Sequence, residues 1–144
     1  MIAACIALMV ASAFTGAAFY VNLAEQPARL SLDDRGLLAE WKLSYRRGFA
    51  MQATLALLGF LLGTWAWQIT GKTAFIAGAL VLFANWPWTI FGMLRINRKL
   101  MATAAENAGP ETRRLLQKWN CLHGVRTLLG FLSALAFLYG ITSK

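Results

Sequence analysis

Ionisable side chains are scarce in this sequence of 144 residues, and acidic ones are the scarcest. Only 14% of the residues are charged, whereas a soluble domain has about 25%. Six acidic residues stand against 14 lysines and arginines, which gives a formal net charge of +8. With 58% apolar residues and a mean hydropathy of +0.53, the composition excludes an ordinary water-soluble globule and predicts a chain solvated by lipid.

The side chains on which many enzyme classes depend are also few. The chain has one histidine and two cysteines, no C-x-x-C pair and no glycine-rich phosphate loop. A metal centre needs several histidine, cysteine or carboxylate ligands, so no metal site is predicted. His123 alone keeps metal or haem ligation as an open alternative. Cys5 and Cys121 are expected at opposite ends of the membrane, beyond disulfide reach, as small buried side chains.

Four long apolar runs account for most of the chain. They are residues 2–24, 48–69, 73–94 and 122–141. The first three carry no charge, and the fourth carries only His123 and Arg126. Each has about the 20 residues needed to cross the hydrocarbon, where the backbone must form helices. The sequence therefore predicts an all-α integral membrane protein, a single membrane domain over residues 1–144 built as an up-down-up-down four-helix bundle.

The connections between the runs differ in length and charge. Residues 25–47 and 95–121 form two long connections that hold five and six of the lysines and arginines, whereas residues 70–72 form a short link. The positive-inside rule then places both long connections in the cytoplasm and both termini outside, as in a bacterial-type inner membrane. The basic excess thus indicates topology, and no nucleic-acid partner is predicted.

Both long connections are expected to contain short interfacial helices. One is predicted at roughly residues 33–45, capped by Ser31 or Asp33. The other extends the third helix past Leu100 and breaks at Gly109 and Pro110, before the fourth helix begins.

Polar side chains inside the runs or within a few residues of their ends concentrate in the half of the bundle that carries the long connections. They are Asn22, Glu25, Tyr45, Gln52, Asn85, Thr89, Trp119, His123 and Arg126. Helical spacing puts the last three on one face, and Pro87 bends the third helix beside Asn85 and Thr89. An intramembrane polar cluster predicts a functional site, because charge in hydrocarbon is costly.

Simpler interpretations of the same residues remain open. Arg126 would snorkel to the headgroups, His123 would be a satisfied helix-end residue, and Asn85 would only bridge helices. The tryptophans would form interfacial belts, as expected for Trp65 and Trp67 at the outer face. The functional interpretation is general acid–base chemistry, with a base, a cation and amide donors between aromatic walls.

Five short motifs follow one another along the chain. They are Asn22-x-x-Glu25-x-Pro27-x-Arg29, Trp41-Lys42-x-x-Tyr45-Arg46-Arg47-Gly48, Ala84-Asn85-Trp86-Pro87-Trp88-Thr89, Asn97-Arg98 and Trp119-x-x-x-His123-x-x-Arg126-Thr127. Together they resemble the anthrone-oxygenase-like family of small four-helix membrane proteins over essentially the whole chain. One departure is Leu94-Arg95-Ile96-Asn97, where relatives often have Pro-Thr-Asn.

The resemblance implies a reaction, since some fungal relatives oxidise anthrones to anthraquinones with O2 and without a metal or organic cofactor. We therefore predict a cofactor-independent oxidoreductase whose lipophilic anthrone- or quinol-like substrate enters from lipid. His123 is the predicted base, Arg126 and Asn85 complete the catalytic set, and Glu25 is the predicted partner of Arg126. The predicted substrate-binding residues are Asn22, Glu25, Tyr45, Trp88, Asn97 and Trp119.

Two other classes of function fit the same sequence. One is a membrane protein that binds or transports a small molecule or lipid without catalysis, because helices broken by proline also occur in transporters. The other is a structural partner with no site. Membrane lipids are expected neighbours in every case, and the Gly59–Gly63 spacing would allow a homodimer as readily as internal packing.

Overall fold

The computed structural model describes residues 1–143, and this part of the chain is helical, with no strand. Four long helices are α1 (Ile2–Leu30), α2 (Asp34–Thr70), α3 (Thr73–Ala102) and α4 (Pro110–Thr142). Each is long and apolar enough to cross a membrane. The prediction of an all-α integral membrane four-helix bundle is confirmed.

The helices pack in the order in which they occur. Each helix contacts its neighbours in sequence, and α4 also packs against α1, which closes the ring. The link from α2 to α3 turns at Gly71, whose φ of 72° lies in the left-handed region that glycine adopts without a Cβ clash. We call this the short-link end and the opposite one, with both long connections, the long-loop end.

Helix α2 is longer than expected. A separate interfacial helix over residues 33–45 was predicted, but this prediction is wrong, because α2 runs unbroken from Asp34 to Thr70. No proline interrupts these residues, so the hydrogen-bond ladder continues through the connection. Asp33 caps the helix as predicted, with its Oδ1 accepting from the Gly36 amide at 2.8 Å. The break before α4 also falls as predicted, at Gly109 and Pro110.

Helices α1 and α3 each contain irregular turns. Helix α1 is α-helical over Ile2–Tyr20, widens to a π-helix over Val21–Glu25 and is α-helical again over Gln26–Leu30. Helix α3 consists of Thr73–Phe83, a single turn Asn85–Trp88, a π-helix Thr89–Met93 and Leu94–Ala102. Such π-segments often mark functional sites. Here they carry Asn22, Glu25 and Thr89, and Asn85 begins the turn that precedes the second one.

A polar layer separates two hydrophobic cores. The core at the short-link end contains the buried alanines of α1 together with Phe14, Phe75, Leu82 and Phe137. The core at the long-loop end contains Leu37, Leu38, Trp41, Met93, Leu100, Leu116 and Trp119. Buried polar side chains of α2, α3 and α4 lie between these cores, namely Gln52, Asn85, His123 and Arg126. Apolar packing on both sides therefore holds the polar layer at a fixed depth.

Phenylalanine rings pack against glycines in the core at the short-link end. A Cβ atom on Gly63 would lie 2.6 Å from the Phe137 ring, and one on Gly130 would lie 2.7 Å from Phe14. Gly59 likewise faces Leu82, where a Cβ would lie at 2.3 Å. The Gly59–Gly63 pair thus serves packing within the bundle, where small residues let helices approach closely.

The two cysteines lie on the surface. Cys5 and Cys121 are both free thiols and both exposed. The prediction of free thiols is confirmed, but the prediction that they are buried is wrong. In a lipid-solvated bundle a small apolar side chain is satisfied on the outside as well as in the core, so composition alone does not place it.

Candidate functional site

Arg126 is a buried cation without a carboxylate partner among residues 1–143. It is 5% exposed, its Nε has no hydrogen-bond partner there, and its guanidinium carbon lies 5.7 Å from the centre of the Phe14 ring. The predicted Glu25–Arg126 pair is wrong, because Glu25 pairs with Arg29 one turn away on α1. The burial also excludes snorkelling of Arg126 to the headgroups.

His123 is held in one orientation by its neighbours. Its ring stacks on Trp119 with ring centres 4.8 Å apart, and its Nδ1 lies 3.1 Å from Asn22 Oδ1. The Asn22 amide nitrogen donates to the Asn120 carbonyl at 2.9 Å, so Asn22 Oδ1 is an acceptor for both His123 and the Thr127 hydroxyl. The Nδ1 atom therefore carries the proton in neutral His123, and Nε2 keeps its lone pair.

An apolar cavity of about 140 Å³ lies between α2, α3 and α4. Its walls are formed by Tyr45, Phe49, Gln52, Ala53, Ala56, Asn85, Trp86, Thr89, Ile90, Leu94 and Arg126. Three buried polar atoms of this lining have no hydrogen-bond partner among residues 1–143: Gln52 Oε1, Asn85 Oδ1 and Arg126 Nε. An unsatisfied buried polar atom costs about 1–3 kcal/mol, so three in one cavity indicate a binding site.

The apolar cavity opens sideways rather than toward either end of the bundle. Phe49 on α2 and Trp86 and Ile90 on α3 line it and are all exposed on the outer surface of the bundle. These side chains face the region that lipid occupies around a membrane-spanning bundle. A lipophilic molecule could therefore reach Arg126 from the bilayer without crossing water.

A smaller polar cavity of about 40 Å³ lies on the long-loop side of Arg126. It is lined by Val21, Glu25, Arg29, Ser44, Tyr45, Gly48, Phe49, Gln52, Trp119, His123 and Arg126. Four of these residues, Tyr45, Phe49, Gln52 and Arg126, also line the apolar cavity. The two cavities therefore meet at Arg126, with His123 on the polar side.

Arg29 organises the far wall of the polar cavity. It is 3% exposed and forms ion pairs with Glu25 and Glu40, the latter at 2.5 Å from its Nε. The same guanidinium donates to Ser44 Oγ at 2.8 Å and to Gln26 Oε1 at 3.0 Å. Unlike Arg126, Arg29 has two carboxylate partners, although its contact with Glu40 is an ion pair without hydrogen-bond geometry.

The structure brings most of the predicted site residues to these two cavities. Tyr45, Asn85, Trp119, His123, Arg126 and Glu25 line at least one of them. Asn22 lines neither and acts on the site through His123. Asn85 offers an acceptor rather than a donor, because its amide nitrogen donates to the Leu82 carbonyl at 2.9 Å.

Two predicted substrate-binding residues lie away from both cavities. The Trp88 indole donates to the Leu122 carbonyl at 3.0 Å, which joins α3 to α4. Asn97 accepts from the Trp119 indole at 2.9 Å. These two residues position the elements around the site, and their contact with a substrate stays a prediction.

Gln52, Phe49 and Trp86 line the apolar cavity but were not among the predicted site residues. Gln52 had a signal in the sequence, since it shares a helical stripe with Trp41 and Tyr45. Phe49 and Trp86 had none, because aromatic residues are common throughout the chain. No group of three or more metal-ligating side chains that could hold a metal occurs within residues 1–143.

Comparison with known proteins supports the resemblance drawn from the motifs. A family model described as anthrone oxygenase matches residues 41–136, which include Gln52, Asn85, His123 and Arg126. A curated anthrone oxygenase from Claviceps purpurea (strain 20.1) is 29% identical over 144 residues, covering 90% of this chain and 82% of that protein. No solved structure matches the chain. The chain belongs to the anthrone oxygenase family.

Proposed function

We propose that this protein is a membrane oxygenase that converts a lipophilic, anthrone- or quinol-like aromatic to the corresponding quinone with O2. The observation that carries the proposal is Arg126, a nearly buried cation that has no carboxylate partner among residues 1–143 and faces an apolar cavity open to lipid. A charge in this position costs about 2.5–3.5 kcal/mol on insertion scales. That cost is offset when a substrate anion binds beside it, so the site favours the anionic form of a bound carbon acid.

His123 is the base in this proposal. Its Nδ1 is committed to Asn22, which leaves the lone pair of Nε2 available to a substrate proton. Neutral imidazole is the form that accepts a proton, and Trp119 and Arg126 line the same cavity as His123. Asn22 and Trp119 are positioning residues, because they fix the tautomer and the plane of the ring.

The cavity walls fit a flat aromatic molecule that carries oxygen atoms. Arg126 would donate to the oxygen on which negative charge collects after deprotonation. Gln52 Oε1 and Asn85 Oδ1 would accept hydrogen bonds from hydroxyl groups of the ring system. Tyr45 and Phe49 would pack against its faces.

For an anthrone, which carries the reacting ring methylene, the reaction balances without a further reactant. His123 removes one proton from the ring methylene, and the resulting carbanion attacks O2 to give a carbon-bound peroxide. Loss of the second C–H proton breaks the O–O bond and leaves a ketone. The carbon loses four electrons, O2 gains four, one oxygen atom stays in the quinone, and the other leaves as water. We propose that no metal or organic cofactor takes part and that O2 is the co-substrate.

We propose further that the long-loop end faces the cytoplasm of a bacterial-type inner membrane, with both termini outside. The support is the 11 lysines and arginines on residues 25–47 and 95–121. Membrane lipids and one lipophilic aromatic molecule are the partners this arrangement requires. Reporter fusions at Lys144 and within residues 103–109 would report opposite sides if this orientation is right.

The experiment uses purified protein in lipid nanodiscs with anthrone as substrate. Quinone formation should exceed the protein-free autoxidation rate, consume one O2 per quinone and survive dialysis against EDTA. His123→Gln should lower the rate by about 100-fold or more, the usual contribution of a general base. Thr127→Val is the matched control, because Thr127 bonds to the same Asn22 oxygen but lines neither cavity.

Equal rates for wild type and His123→Gln would overturn the role of His123. A ligand that stabilises the protein in a thermal-shift screen without any turnover would instead favour a binding or transport protein. Dependence of the rate on a removable metal would overturn the proposal that the reaction needs no cofactor.

A further inference from the structure

We propose that the polar cavity is a route for water and protons between His123 and the surface at the long-loop end, with Glu25 at its mouth. This route is separate from the lipid-facing opening of the apolar cavity. The physical route stands on the cavity geometry, and its role in turnover rests on the oxygenase function proposed above.

The two cavities meet but differ in the polar groups that line them. Near His123 and Arg126 the polar cavity adds the Glu25 carboxylate, the Arg29 guanidinium and the Ser44 hydroxyl. A water molecule needs about 10–15 Å³ of such space and two to four polar partners. The volume of about 40 Å³ therefore suits roughly three water molecules. The apolar cavity is larger, and a smaller share of its lining is polar than in the polar cavity.

Glu25 is the group that connects this cavity to the outside. Its side chain is 23% exposed, whereas the Arg29 side chain beside it is 2% exposed. Glu25 lines both the polar cavity and a groove on the outer surface of the bundle. Glu40, the other carboxylate on Arg29, lines only the outer groove. The two acids thus share one partner but differ in access to His123.

In the proposed reaction, water and a proton would leave the site by this route. Each turnover forms one water molecule beside apolar walls, and water leaves most readily where polar partners receive it. A proton on His123 also places a second positive charge near Arg126, which favours passing it on quickly. The group formed by Arg29, Glu25 and Glu40 has a net charge of −1 and lies across the same cavity. Its field attracts the proton toward the mouth.

Silver ions test the route without any turnover, because they travel where water does and block thiols. In a Cys5→Ala, Cys121→Ala background, Gly48→Cys lines the polar cavity, and its Cβ would meet nothing within 4 Å. Ala53→Cys lines the apolar cavity, and Ala50→Cys is an exposed control on the same helix. Silver added to nanodiscs should block Gly48→Cys at least tenfold faster than either of the others. Equal rates at all three positions, or fastest blocking of Ala53→Cys, would overturn the route.

Turnover tests the part played by Glu25. Glu25→Gln should lower kcat at least tenfold, leave KM unchanged and increase the solvent deuterium isotope effect. Glu40→Gln, which removes the other partner of Arg29, should stay within about twofold of wild type. Equal losses in both variants, or none in either, would overturn the role of Glu25. If the wild type shows no turnover at all, the oxygenase proposal fails, while the silver experiment still decides the route.

Discussion

Replacing Arg126 with methionine separates a functional charge from a structural one, because the two predict opposite changes in stability. Methionine keeps much of the side-chain volume and removes the charge. Arginine at the centre of a membrane helix costs about 2.5–3.5 kcal/mol of stability. The cation–π interaction of Arg126 with Phe14 offsets about 0.5–2 kcal/mol of that cost. Because no carboxylate among residues 1–143 pairs with Arg126, the variant should be more stable by about 0.5–3 kcal/mol.

The assay is unfolding in mixed dodecylmaltoside and SDS micelles, followed by tryptophan fluorescence, together with anthrone turnover. Arg126→Met should unfold at a higher SDS fraction and lose turnover by at least 100-fold. Arg29→Met is the matched control, since Arg29 is as well buried but pairs with Glu25 and Glu40. That variant should lose about 3 kcal/mol, the lower end of the range for a broken buried pair, because both acids keep some contact with solvent.

A destabilised Arg126→Met that still turns over anthrone would refute this reasoning. It would mean that Arg126 serves the fold and that the three unsatisfied polar atoms of the apolar cavity belong to packing alone. Destabilisation equal to that of Arg29→Met would point the same way. A variant that is more stable but inactive is the expected result, because it would show that the Arg126 charge lowers the stability of the fold and is needed for activity.

Three further substitutions test separate parts of the structure. Ala56→Met should fill part of the apolar cavity, leave the unfolding midpoint nearly unchanged and raise KM at least tenfold. Asn22→Leu should lower kcat by about 10- to 100-fold with KM unchanged, since it frees the His123 tautomer, and a measured change in KM alone would contradict this. Gly63→Val should cost about 1–3 kcal/mol in the same unfolding assay because of the Phe137 ring, whereas Gly16→Val, with open space around its Cβ, should cost little.

The number and kind of helices could be read from the sequence because both depend on local properties. An uncharged run of about 20 apolar residues can satisfy its backbone in lipid only as a helix, wherever its neighbours lie. Spacing within one helix is equally local, so the common face of Trp119, His123 and Arg126 and the stripe from Trp41 to Gln52 followed directly. The cap at Asp33 and the break at Pro110 depend on two or three adjacent residues and were also predictable.

The partners of the polar side chains were decided by tertiary packing. Spacing tells which residues share a face, but it does not tell which faces meet or how a π-segment changes their rotation. Glu25 therefore pairs with Arg29 and not with Arg126, which faces the apolar cavity. Asn22 contacts His123, which is 101 positions away in the sequence. The long apolar runs, almost free of charge, determined that this protein lies in a membrane. The packing of α1 to α4 decided which buried charge among residues 1–143 is left without a carboxylate partner, because only the folded bundle fixes the distances over which charges and hydrogen bonds act.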